Sequence, residues 1–342
     1  MFDYDAILNS LLNPKLNKQQ LGKLVQIQSQ QFTSERKNLK ENYSNEDLIS
    51  AYTAFYFPTN AYKLDFLFSQ LSEESLSAIS ETTIIDIGCG PGTYTYAAAN
   101  LLPNAKEFIG VDESELMLKQ AKKLNDEYFK EDRVFFKNRV PQIENSTLIF
   151  GNSLNEMGMK AAFKLIKNLK PKFIICIEPG TKEVFKEVLE LRRKLLNLEY
   201  KVNYPCMGQG SCPLQETDDW CHQSIKVSLD YELESLSQVA KLDRKVMPAT
   251  IHLYSLSDQN KPVVENEARL IRLKRIVKHA YLWEVCTIEN KIVNLEVPKK
   301  LFKKKMLKQL DAISSGIKLS YTIDKELENS TFRVKEIEVE ID

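Results

Sequence analysis

The run Ile84-Ile-Asp-Ile-Gly-Cys-Gly-Pro-Gly92 constrains this chain more than any other stretch. An apolar segment, Thr82 to Ile87, runs straight into glycines at 88, 90 and 92, and the residues that follow, Thr93 to Leu102, suit a helix. A strand, a tight turn and a helix are therefore expected in succession. Glycine admits positive φ and lets a ligand approach the backbone closely. The helix start offers unpaired N–H groups and the positive end of a dipole. Such a loop takes the polar part of a nucleotide-like cofactor, and Asp86 at the strand end can direct a carboxylate towards it.

From here the pattern alternates. Strands are expected at 82–87, 107–112, 134–137, 147–150 and 172–177, with helices near 93–102, 114–128, 156–169 and 181–197. Alternation of this kind predicts an α/β fold, a doubly wound sheet covered on both faces with ligands at the carboxyl ends of its strands. Residues 1–80 read as a helical N-terminal region. Within it Ser44 is placed to cap a helix, and the aromatic stretch Ala51–Tyr62 is expected to break at Pro58. That stretch reads as packing, or else as a lid over the cofactor pocket. A Rossmann-like, cofactor-binding core is assigned to 81–200, a cysteine-rich subdomain to 201–290, and strands completing the sheet to 291–342.

A glycine loop after a strand can serve NAD, FAD or S-adenosylmethionine (SAM). The spacing D-x-G-x-G-x-G resembles motif I of class I SAM-dependent methyltransferases, a Rossmann-like fold. Asp112 ends the second strand, where an acidic side chain accepts ribose hydroxyls. The candidate cofactor residues are Asp86, Gly88, Gly90, Gly92, Asp112 and Asn152, the last in Gly151-Asn-Ser153 after the fourth strand. Glu178 ends the fifth strand and reads equally as a pocket carboxylate or as part of a turn capped by Thr181. No residue is marked as catalytic, and the Asp/Asn-Pro-Pro-aromatic motif of amino-group methyltransferases is missing.

The second signal is Pro205-Cys-Met-Gly-Gln-Gly-Ser-Cys-Pro-Leu214 followed by Asp219-Trp-Cys-His222, with a further cysteine at 286. Irregular chain needs another source of order, and metal–thiolate bonds supply one. Four thiolates hold zinc or a 4Fe–4S cluster. The wide spacing departs from paired zinc knuckles and tilts the reading towards iron–sulfur. Cys206 after a proline also fits a base-attacking nucleophile. Cys176 and Cys89 read as core and filler.

Lys+Arg and Asp+Glu both number 47, so net charge points to no partner. Yet twelve basic residues lie between Arg269 and Lys308 against three acidic ones, a stretch suited to phosphate or to plain solvation. No apolar run is long enough for a membrane span. The N-terminus lacks a signal-peptide pattern, so a cytoplasmic location is expected.

These pieces together resemble the mitochondrial small-ribosomal-subunit assembly proteins of the methyltransferase-like type and their bacterial relatives. The resemblance rests on Pro205-Cys206, Cys212-Pro-Leu214 and Trp220-Cys-His222. Glu178-Pro-Gly-Thr181, the Arg192-Arg193 helix and Phe57-Pro58 extend it, to cover roughly residues 45–300. The chain departs from the family at Met207-Gly208, where Pro-His is usual, and at Gln223, where Phe is usual. The resemblance implies a 4Fe–4S cluster on Cys206, Cys212, Cys221 and Cys286, and association with the small ribosomal subunit or its rRNA. The expected function is a SAM-binding, iron–sulfur methyltransferase-like protein. A non-catalytic assembly factor and a small-molecule methyltransferase with structural zinc are the alternatives.

Overall fold

The computed structural model describes residues 2–33, 45–256, 266–328 and 330–340. The chain forms two compact units. The first comprises Met1–Glu156, Ile166–Pro171 and Val227–Val246, and the second Met157–Leu165, Lys172–Lys226 and Met247–Asp342.

In the first unit, helices α1 (Tyr4–Asn9), α2 (Lys18–Thr33), α3 (Glu46–Ser69) and α4 (Glu73–Ser80) precede strand β1 (Thr83–Ile87). Then come α5 (Thr93–Leu101), β2 (Phe108–Val111), α6 (Glu115–Leu124), β3 (Val134–Lys137) and β4 (Ser146–Gly151), followed by α7 (Leu154–Met157) and α8 (Met159–Leu169), of which Leu154–Glu156 and Ile166–Leu169 belong to this unit. The strands are parallel in the order β3-β2-β1-β4. Ile84, Ile85 and Ile87 of β1 are all buried, as a strand covered on both faces requires. The chain steps outward from β1 to β3 and then crosses to the other side of β1 for β4. That reversal leaves a crevice at the carboxyl end of β1.

Two expectations for the helical region change. Ser44 lies outside the described residues, and Asn45 caps α3, its side chain accepting the Leu48 N–H. The break at Pro58 does not occur: α3 runs through it unbroken. A helical proline leaves the carbonyl four residues earlier without its N–H partner. Here that carbonyl belongs to Ala54, and the Tyr4 hydroxyl of α1 donates to it at 2.9 Å. A side chain more than fifty residues away in sequence, 58 against 4, thus supplies the donor that proline lacks.

In the second unit, β5 (Phe173–Pro179) is followed by α9 (Lys182–Leu196), which Thr181 caps as expected, and by β6 (Lys201–Tyr204) and β7 (Gln223–Lys226). The chain then forms α10 (Tyr231–Ala240), which packs on α2 within the first unit; any side chain at Gly22 would strike Val239 there. β8 (Val246–Ser255) lies antiparallel to β5 and β6. The sheet of the first unit is thus parallel, while in the second β8 runs antiparallel to both of its neighbours β5 and β6.

Residues 291–342 do not complete that sheet. β9 (Glu267–Ile276), β10 (Ala280–Thr287), β11 (Ile292–Pro298), β12 (Lys318–Glu326) and β13 (Thr331–Val339) close a barrel in the order β10-β11-β13-β12-β9. Helix α11 (Lys304–Asp311) falls between β11 and β12. Tyr281, Trp283, Val285, Leu295 and Val297 alternate inward and are buried to 1% exposure or less, so the barrel has its own core.

Candidate functional site

The glycine loop occupies the crevice in the first unit. Gly88, Gly90 and Gly92 all have positive φ, at 70°, 56° and 88°. The amides of Gly88 and Cys89 bond to Val111 O, so β2 anchors the loop. Asp112 carries the next constraint. One carboxylate oxygen accepts the Gly90 N–H at 2.8 Å and the other accepts the Ser114 N–H at 2.8 Å. Burial pushes the Asp112 carboxyl up, and these two N–H bonds oppose the shift.

The glycines differ in what lies before them. A Cβ on Gly92 would sit 2.8 Å from the Tyr96 ring, so this glycine is a packing requirement. A Cβ on Gly90 would meet nothing closer than 3.9 Å, the nearest atoms being Met117 Sδ and a ring carbon of Tyr52. The backbone at Gly90 therefore faces space. Tyr52 brings the aromatic stretch of α3 to the loop, where a lid was one of the two readings.

One oxygen of Asp86 is committed within the protein. Its side chain is buried, and Oδ2 accepts both the backbone N–H and the hydroxyl of Thr95, holding the first turn of α5. Burial pushes its carboxyl up to about 7, against the lowering effect of the Thr95 bonds. Among the described residues, its second oxygen, Oδ1, and the buried hydroxyls of Thr93 and Ser153 make no hydrogen bond within the distance limit. Buried polar atoms are nearly always paired. Three unpaired ones around a glycine loop fit a polar ligand, and Thr93 was not singled out in the sequence. Asn152, at φ 58°, donates to the Tyr94 hydroxyl at 3.5 Å. Glu178, in the second unit, is fully buried.

A second candidate site lies wholly within the second unit. Cys206, Cys212, Cys221 and Cys286 line one pocket, with Cys286 contributed by β10. Among the described residues, however, no group of three or more His, Cys, Asp or Glu side chains stands ready to hold a metal ion. Tetrahedral zinc would draw its sulfurs to about 3.8 Å from one another. The expected cysteine-rich insertion is thus present as a shared pocket without a formed metal site. Burial pushes the Cys286 thiol up to about 12, with Cys206 and Cys212 adding to the shift. Cys176 and Cys89 are core residues, as expected.

Two buried arginines border this pocket. Arg269 donates to Pro205 O and Gly316 O at 3.1 Å and covers the Tyr204 ring. Arg192 donates to Gly210 O at 2.7 Å, while its Nε has no partner. Neither forms an ion pair among the described residues. Glu267 and Glu340 act on Arg269 from beyond ion-pair distance. Sequence reasoning did not assign the two arginines this place. His222 stacks on Trp220, and its Nδ1 is buried without a partner.

The sequence matches the family described as Mitochondrial small ribosomal subunit Rsm22 over residues 47–314. No curated protein matches it. Solved structures match more weakly. Magnesium protoporphyrin IX methyltransferase from Synechocystis PCC 6803 with bound SAM is 13% identical, with 72% of this chain and 100% of that one covered and a TM-score of 0.37. TrmK of M. capricolum with S-adenosyl-homocysteine is 13% identical, with coverages of 57% and 73% and a TM-score of 0.31. The methyltransferase domain of bacterial CtHen1 is 18% identical, with coverages of 58% and 100% and a TM-score of 0.36.

Proposed function

The chain belongs to the Rsm22 family, and from that premise we propose that it is a SAM-binding, iron–sulfur methyltransferase-like protein acting on the small ribosomal subunit or its rRNA. One observation carries the cofactor half: Asp112 holds Gly90 in a positive-φ turn whose backbone faces space, beside the unpaired polar atoms of Asp86, Thr93 and Ser153. SAM supplies an activated methyl on its sulfonium. Asp112 would accept the ribose hydroxyls, Gly90 would let the ligand reach the backbone, and Asn152 would edge the pocket. The chain's share of any methyl transfer is positioning. Calorimetric titration with SAM tests this: binding by the wild type and its loss in Asp112→Ala are expected, and equal affinity in both would overturn the assignment.

The 4Fe–4S cluster would be held by Cys206, Cys212, Cys221 and Cys286. Support comes from their common pocket and from the flanking Arg192 and Arg269. Anaerobic purification should yield a brown protein with iron and labile sulfide in equal amounts. A colourless protein loaded with zinc would refute the cluster.

A second reading, a non-catalytic assembly factor, is favoured by the engagement of both pocket carboxylates: Asp86 holds Thr95, and Asp112 holds Gly90 and Ser114. Deletion that impairs small-subunit assembly while rRNA methylation stays unchanged would select it.

A further inference from the structure

The barrel in the second unit has a specific connectivity. Numbered within itself, β9 to β13 are strands one to five, and their order around the barrel is 1-2-3-5-4. The third and fifth strands, β11 and β13, are the parallel pair; the other pairings are antiparallel. The helix α11 falls between the third and fourth. This is the arrangement of an OB-fold, a five-stranded Greek-key barrel that uses the outer face of strands two and three and the adjoining loops to take oligonucleotides.

Part of that outer face is already used. Cys286 and Ile292 line the cysteine pocket, and Arg272 reaches Asp219 and Glu284, each at 2.8 Å. Lys274 is paired with Glu284, and Arg333 of β13 with Glu296. The opposite end is free. There the β9–β10 turn meets the segment after β11, the Lys299 N–H donating to His279 O at 2.9 Å. Arg275 and Lys278 on the turn, and Lys300, Lys303, Lys304 and Lys305 on the segment and helix, are all exposed. None of them forms an ion pair among the described residues.

Their placement opposes local stability. Lys304 and Lys305 open α11, whose first turn has no acidic residue and whose start has no side-chain cap. Positive charge there is repelled by the helix dipole. A cost of that kind without a local return is expected where a surface serves a ligand. β12 and β13, by contrast, mix charges: Asp324, Glu326, Glu336 and Glu338 are exposed there beside Lys325 and Lys335. Ile276, 46% exposed at the same turn, offers an apolar seat for a base.

We propose that this end of the barrel binds single-stranded RNA, with the six unpaired cations on its phosphates. The proposal rests on the ribosomal reading for its biological partner but not for its chemistry. The test uses the full-length protein and a labelled mixed-sequence RNA of about twelve nucleotides, titrated by fluorescence anisotropy across a range of salt. The combined Lys300→Gln, Lys303→Gln, Lys304→Gln and Lys305→Gln variant should bind at least tenfold more weakly at low salt. Its plot of log affinity against log salt should be shallower by about 3, at about 0.7 for each lost phosphate contact. Arg333→Gln, which removes a cation paired within the barrel, should leave the slope unchanged. Unaltered affinity and slope in the four-lysine variant, no RNA binding by the wild type, or tighter binding of a duplex of equal length would each overturn the site. Cosedimentation with small ribosomal subunits judges the ribosomal reading separately. Subunits bound by the wild type, with RNA affinity untouched by the four substitutions, would remove the barrel site and leave that reading in place.

Discussion

The hydroxyl of Tyr4 stands in for the N–H that Pro58 lacks, and this substitution of donors can be measured. Tyr4→Phe keeps the ring, which is 7% exposed, and removes only the oxygen that donates to Ala54 O at 2.9 Å. The carbonyl then lies inside α3 at a residue of 0% exposure without a donor. Leaving such an acceptor unpaired costs about 1–3 kcal/mol. In a Pro58→Ala background the helix recovers its own N–H to that carbonyl, and the hydroxyl becomes redundant. Tyr4→Phe should there cost under about 0.5 kcal/mol, giving a coupling of about 1 kcal/mol or more between positions 4 and 58. Urea unfolding followed by circular dichroism, with the wild type, both single variants and the double variant, completes the cycle. A Tyr4→Phe cost equal in the two backgrounds would refute the exchange of donors.

Other consequences follow from the glycine loop and its carboxylates. Gly92→Ala should destabilise by several kcal/mol and reduce soluble yield, because its Cβ would meet the Tyr96 ring at 2.8 Å in a positive-φ conformation. Gly90→Ala should cost only about 1 kcal/mol in stability while weakening SAM binding by calorimetry; a thermal shift as large as that of Gly92→Ala would contradict the open space seen there. Asp86 has a folded pKa near 7, above the 3.8 of the free group, so the folded state holds the proton more tightly. Its contribution to stability is therefore greatest at low pH and declines as pH rises from about 4 to about 7. Asp86→Asn, which cannot ionise, should gain on the wild type by about 1 kcal/mol or more between pH 5 and pH 8, and a pH-independent difference in melting would rule out a raised pKa.

What the sequence disclosed was local. β1, its glycine turn and α5 were legible because one short run states all three. Asp112 followed from strand spacing, and the cysteines from their irregular surroundings. The unbroken α3 was not legible, because the donor that rescues it belongs to Tyr4, on another helix. Asp86 looked like a ligand-facing carboxylate, but the Thr95 bonds that claim one of its oxygens depend on how the first turn of α5 folds back. Arg192 stood out only as part of a helix that resembles the family's, and Arg269 only as one of a basic run; tertiary packing buries them beside thiols. The barrel was hidden for a similar reason. Strands that end a sheet and strands that close on themselves alternate in the same way, and closure is decided by the pairing of β9 with both β10 and β12.

Three of the pocket cysteines stand on one irregular segment, while the fourth stands on a barrel strand sixty-five residues beyond Cys221, from 221 to 286. Any occupant bonded to all four ties a knot in the chain. Closing a loop of that length removes about 4 kcal/mol of disorder from the unfolded chain by the chain-entropy model of cross-links. That is a sizeable part of the 5–15 kcal/mol by which domains hold together. Were one group bonded to all four, folding of the second unit and filling of its pocket would be linked equilibria, and its removal should be felt in the barrel as a loss of order.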